Sequence, residues 1–216
     1  MAVKYLLADT SSLVFAYRAG GPDLLDAYIK LAENEGFKLT ISRLVEIEIE
    51  KGPLERDLLD YLASRDIRAQ DTPETEQQLR DATDPQELKR LTKNAGERSL
   101  LEIAAREHAE GRNVVIWSDD GQFISPQIRR QLQRELPGLQ LRTTAELLDQ
   151  SYRDGIITEA QYQQHLAGYR QQDHFQKSTR LNSFDPSLSP APPISPKAKP
   201  PCAAPTASAA SPPPNC

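Results

Sequence analysis

Across 216 residues the chain sets 26 basic against 31 acidic side chains, for a net charge of −5. That balance counts against a protein that holds nucleic acid through a basic face alone. It counts less against an enzyme whose metal ions bring positive charge to a phosphate.

Composition divides the chain. Eleven of the 17 prolines lie between Asp185 and Cys216, in a stretch dominated otherwise by Ala and Ser. Such a segment has too little apolar surface to offset its ordering entropy, so residues 181–216 are expected to form a disordered, locally extended tail. Both cysteines, Cys202 and Cys216, fall there. Neither a disulfide framework nor a cysteine zinc site is therefore expected in the core, and a reducing compartment fits. The remaining residues, about 180, suit one domain with a sizeable core.

The elements read in chain order. Val3 to Ala8 is an apolar run that Asp9 cuts well short of a signal-peptide core or a membrane span. It reads as a buried parallel strand, in a protein expected to be cytoplasmic with no membrane partner. Ser11 or Ser12 caps a helix through Tyr17, Gly20-Gly21-Pro22 breaks the chain, and Asp23 to Glu35 is an amphipathic helix. A second strand, Phe37 to Ile41, leads into a helix capped by Ser42 and stopped by Gly52-Pro53. Leu54 to Ser64 is helical, a short strand follows near Ile67, and polar helices fill Pro73 to Lys93. Gly96-Glu97 opens a helix that Gly111 ends, before the strand Val114 to Trp117 and the turn Ser118-Asp119-Asp120. Helix Gln122 to Glu135, strand Leu139 to Arg142, helix Thr144 to Arg153 and helix Thr158 to Arg170 complete the pattern.

Strands alternate with helices, which predicts an α/β fold with a parallel sheet covered on both faces. Ligands in such sheets bind beyond the carboxyl ends of the strands, where Asp9, Ser42 and Asp120 fall. The expected organisation is an α/β domain over 1–150, a helical extension over 151–180, and the tail.

Helical periodicity separates the acids. At 100° per residue Glu48 shares a face with Ile41, Leu44 and Val45, whereas Glu46 and Glu50 point away. Glu97 begins the stripe of Leu100, Leu101, Ala104 and Ala105, while Glu102 falls on the outer side. Carboxylates on apolar faces are costly unless paired, hydrogen-bonded or bound to metal. Together Asp9, Glu48, Glu97 and Asp120 would form a pocket of hard oxygen donors, suited to Mg²⁺ or Mn²⁺ rather than zinc. Ser11 is placed to orient a water or a phosphate oxygen.

Here the chain resembles the PIN-domain ribonucleases. Asp9-Thr10-Ser11 after an apolar strand is similar to their opening D-x-S/T, and Val45-x-x-Glu48 to their second acidic motif. Gly96-Glu97-x-x-x-Leu101-x-Ile103-Ala104 resembles the G-E helix of one branch, and Ser118-Asp119-Asp120 resembles the last motif. The second aspartate is the usual ligand there, with Asp119 a further candidate. The resemblance spans about 120 residues and excludes the tail. It implies a Rossmann-like fold and a metal-dependent endoribonuclease that leaves 5′-phosphate and 3′-hydroxyl ends. Many small bacterial relatives, of the VapC kind, are toxins that dimerise and are neutralised by an antitoxin, so RNA, an antitoxin and a second copy are the implied partners. This chain is longer than such toxins, and its tail is unlike theirs.

Each acid also has a plainer reading. Asp9 alone fits a helix N-cap, Asp119-Asp120-Gly121 a turn, and Glu48 an ion pair with Arg43. His108 reads as a core or boundary residue, Trp117 as packing, and Arg129, Arg130 and Arg134 as a solvated helix face. Among rival functions, a haloacid-dehalogenase-like phosphatase lacks its second aspartate at Ser11, and a D-x-S-x-S adhesion loop fails at Leu13. The more serious alternative is a PIN-like scaffold without catalysis that binds RNA or protein.

Overall fold

The computed structural model describes residues 4–52 and 55–172. The expected tail, both cysteines and the end of the expected helical extension lie outside the described residues. Five parallel strands form one sheet in the order β3-β2-β1-β4-β5. They are β1 (Lys4–Ala8), β2 (Phe37–Ser42), β3 (Ala69–Gln70), β4 (Val114–Trp117) and β5 (Gln140–Arg142). The helices between them are α1 (Thr10–Asn34), α2 (Arg43–Glu50), α3 (Glu55–Ser64), α4 (Pro73–Asp81), α5 (Pro85–Lys93) and α6 (Ala95–Ala109). After β4 come α7 (Gly121–Ile124), α8 (Pro126–Glu135), α9 (Thr144–Arg153) and α10 (Glu159–Arg170). No helix among the described residues is long and apolar enough to cross a membrane.

Local chemistry accounts for the boundaries. All four residues of β4 are buried, as a central strand covered on both faces requires. Ser42 caps α2 by accepting from the Val45 N–H, and Thr143 and Thr158 open α9 and α10 with reciprocal capping boxes to Glu146 and Gln161. Gly21 stands at φ 62°, ψ −154°, so α1 is two helical stretches joined at a kink, at the expected break. The single helix expected over Gln122 to Glu135 is instead two, because Pro126 starts α8 afresh.

Two side chains depart from the expected stripe of α6. His108 and Ala105 are exposed, and Glu107 takes the buried position beside Ile103 and Ala104. Its carboxylate is tied to Arg112, which lets an acid occupy that face. Outward-leaning Glu102 has a task too. It accepts from the Glu74 N–H at 3.1 Å and the Thr75 N–H at 2.8 Å, capping the start of α4.

The core packs on both sides of β1 and β4. Trp117 is fully buried, meets Tyr28 edge to face at 5.1 Å, and donates its indole N–H to Thr144 Oγ1 at 2.9 Å. It is a packing residue.

Candidate functional site: an acid-lined cavity

In the order β3-β2-β1-β4-β5, the chain departs in opposite directions from the middle of the sheet. Such a switch leaves a crevice beyond the strand ends between β1 and β4. Asp9 follows β1 there, and its N–H donates to the Trp117 carbonyl at 3.0 Å, locking the two strand ends together. Asp120 follows β4, and its N–H donates to Ser118 Oγ at 3.1 Å. Glu48 comes from the last turn of α2, and Glu97 from the first turn of α6.

All four carboxylates line one cavity of about 350 Å³. Thr10 and Ser11 add hydroxyls to it, Val14, Phe15 and Ile49 an apolar wall, and Lys93 an ammonium. The sequence grouping of Asp9, Glu48, Glu97 and Asp120 is thus a spatial grouping. Ser11 donates to Asp9 Oδ2 at 2.6 Å and Thr10 donates to Glu48 Oε2 at 2.5 Å. Arg43, the ion-pair partner considered for Glu48, is bonded to Glu46 instead.

The two helices that carry glutamates are held close. The hydroxyls of Ser42 and Ser99 stand 2.5 Å apart, joining the cap of α2 to α6. At Gly96 an added Cβ would lie 3.1 Å from both carboxylate oxygens of Glu48. The glycine before Glu97 therefore makes room for the neighbouring acid. Any larger residue would crowd Glu48.

Asp119 is a different case. Its carboxylate accepts from Ser12 Oγ at 3.0 Å, from the Thr144 N–H at 3.0 Å and from the Thr144 hydroxyl. The Asp119 N–H donates in turn to Ser12 Oγ at 2.9 Å. The residue is buried and is not among those lining the cavity. It clamps β4 to α1 and α9, away from the cavity where the sequence placed it as a further candidate ligand.

The electrostatics follow from burial and like charge. Burial raises the Asp9 carboxyl from 3.8 to about 6, and the nearby charges of Glu48 and Asp120 push the same way against the Ser11 hydrogen bond. Burial likewise raises Glu97 from 4.5 to about 7, with Asp9, Asp120 and Glu48 adding repulsion. The acids are therefore close enough to oppose one another's ionisation. As they lie, no three acidic, histidine or cysteine side chains among the described residues stand together as a preformed metal-ligand group.

A scan of protein-family models, a search of curated proteins and a search of solved structures found no match.

Three residues at the site carry no local mark in the sequence: Thr10, Ser118 and Lys93. Thr10 occupies the variable position of D-x-S/T, and only the fold brings it to Glu48, 38 residues away. Ser118 reaches Asp9 Oδ2 at 3.4 Å besides receiving the Asp120 N–H. In the sequence it is one residue of the turn Ser118-Asp119-Asp120. Lys93 closes a polar helix whose other charges face water, and nothing in its spacing marks it.

Proposed function

We propose that the chain is a divalent-metal-dependent endoribonuclease of the PIN type, with Asp9, Glu48, Glu97 and Asp120 as its metal-holding acids. One observation carries this reading. Four carboxylates from four separate elements line a single cavity at the carboxyl end of a parallel sheet. The donor set is entirely hard oxygen, which fits Mg²⁺ or Mn²⁺. Two of its members are raised into the range where a cation would relieve real repulsion.

Such an ion supplies a lowered water pKa and positive charge beside a phosphoryl group. The chain's own residues supply the rest. Burial of Asp9 keeps water from screening it, and Ser11 holds one of its oxygens in a fixed direction. Thr10 does the same for Glu48. Ser11 also faces the cavity, where its hydroxyl can meet a water or a phosphate oxygen. RNA is the proposed substrate, and an antitoxin protein and a second copy of the chain are the partners to test.

The assay is cleavage of labelled RNA by the full chain with Mn²⁺ or Mg²⁺. Cleavage is expected with either ion, to stop with excess chelator, and to fall at least about a hundredfold in Asp9→Asn and Asp120→Asn. Both variants should remain folded by circular dichroism. Robust cleavage in chelator, or full activity in both variants, would overturn the assignment. Binding of RNA without any cleavage would favour an inactive scaffold on the same fold.

A further inference from the structure

Two buried acids among the described residues, Glu107 and Asp119, have structural partners. Glu107 is paired with Arg112, and Asp119 is held by Ser12 and Thr144. Lys93 is different. Among the described residues that line the acid cavity it alone is basic. It shares that cavity with four carboxylates, yet among the described residues none lies within ion-pair distance of its ammonium. By contrast, Arg43, Arg65 and Arg106 each find a carboxylate nearby.

We infer that Lys93 is the substrate-phosphate anchor of this site, a reading that rests on the nuclease proposal above. The argument is one of charge and position. A cavity walled by acids repels a polyanion, and cations taken up by those acids offset that repulsion only at the acids themselves. Binding a chain of phosphates calls for a fixed positive group at the edge, free of any internal partner. Lys93 meets each condition. It ends α5, immediately before the turn into α6, so its backbone is set by the same segment that positions Glu97. Its side chain is exposed, which leaves the ammonium hydrated and able to exchange water for a phosphate oxygen. A lysine at a helix C-terminus is also favoured by the helix dipole, and that plainer role makes no use of the cavity.

The two roles separate by salt dependence. A lysine that neutralises one phosphate contributes to the slope of log affinity against log salt, whereas a helix-capping charge does not. The experiment is steady-state cleavage of a labelled oligouridylate by the full chain in MnCl₂, across a series of KCl concentrations. Lys93→Gln is expected to raise KM about tenfold with kcat within about twofold, the signature of lost ground-state binding. The slope of log KM against log salt is expected to fall by about 0.7, the share of one contact to a single strand. Lys93→Arg should restore both. Lys89→Gln, an exposed lysine one turn earlier that does not line the cavity, should change neither. If wild type cleaves but Lys93→Gln keeps the wild-type slope, the anchor role is overturned and the nuclease reading stands. If wild type cleaves no RNA with either metal, both fall.

Discussion

Thr10 donates its hydroxyl to Glu48 Oε2 across 2.5 Å, joining the first turn of α1 to the far end of α2. Thr10 thereby sets which way Glu48 points into the cavity that both residues line. Thr10→Val keeps the shape and removes the donor. Partners of this kind, which orient a ligand without touching the ion, change affinity or activity by about ten- to a hundredfold when removed. The variant is expected to lose activity in that range and to need more Mn²⁺ for half-maximal rate, with thermal stability within about 1 kcal/mol of wild type. A metal titration of activity decides it. An unchanged Mn²⁺ requirement would mean that Glu48 is oriented by α2 alone.

The raised carboxyls make a prediction about stability. Asp9 has an ordinary value of 3.8 and a folded value of about 6, so the native state holds its proton more tightly than the unfolded chain. The linked stability is complete below about pH 4 and is lost as pH rises through 6. Glu97, at about 7, extends the loss toward neutrality. Without divalent ions, Asp9→Asn is therefore expected to exceed wild type at pH 8 by about 3 kcal/mol, and to match it at pH 4. Adding Mn²⁺ at pH 8 should raise the Tm of wild type more than that of the variant. Calorimetry at the two pH values tests this. A lower Tm for the variant at pH 8 would show that the Ser11 and Ser118 hydrogen bonds outweigh the cost of burying the charge.

Adjacent aspartates should behave in opposite ways. Asp119 holds Ser12 and Thr144, and its removal leaves those buried groups without their acceptor. Asp119→Ala is expected to cost about 3 kcal/mol, the usual scale for breaking a buried polar network. Asp120→Asn keeps its backbone bond to Ser118 and should unfold near wild type while losing cleavage. Urea denaturation beside the activity assay separates the two. Equal stability of both variants would remove Asp119 from its structural role.

The contrast shows what the sequence could and could not reveal. β4 was legible because four consecutive apolar residues, all buried, are the signature of a central parallel strand. The inward glutamates were legible because helical period distinguishes Glu48 from Glu46 and Glu50. Periodicity failed at Glu107, where a charge hides a buried position and the neutral-looking His108 is exposed. It could not divide Asp119 from Asp120, since the difference lies in Ser12 and Thr144, which are 107 and 25 residues from Asp119. Such partners are properties of the fold and leave no local trace. Lys93 stayed hidden for a related reason: a lysine ending a polar helix looks the same whether it faces water or a cavity.

α10 packs against α1. An added Cβ at Gly168 would lie 2.2 Å from the Ala19 carbonyl oxygen, which belongs to backbone and cannot swing aside. Gly168 thus lets α10 lie directly against the α1 backbone. On the next residue, the Tyr169 hydroxyl stands 3.2 Å from that of Tyr28, which packs edge to face on Trp117. Pushing α10 outward would disturb this buried stack. Gly168→Ala is expected to destabilise the fold by about 2–3 kcal/mol, the usual range for overpacking. Trp117 is the sole tryptophan, so its fluorescence should shift to longer wavelength as the stack loosens. Gln164→Ala, on the exposed face of the same helix, should be near neutral. If Gly168→Ala unfolded at the wild-type urea midpoint with unchanged emission, α10 would be an appendage that the core tolerates moving.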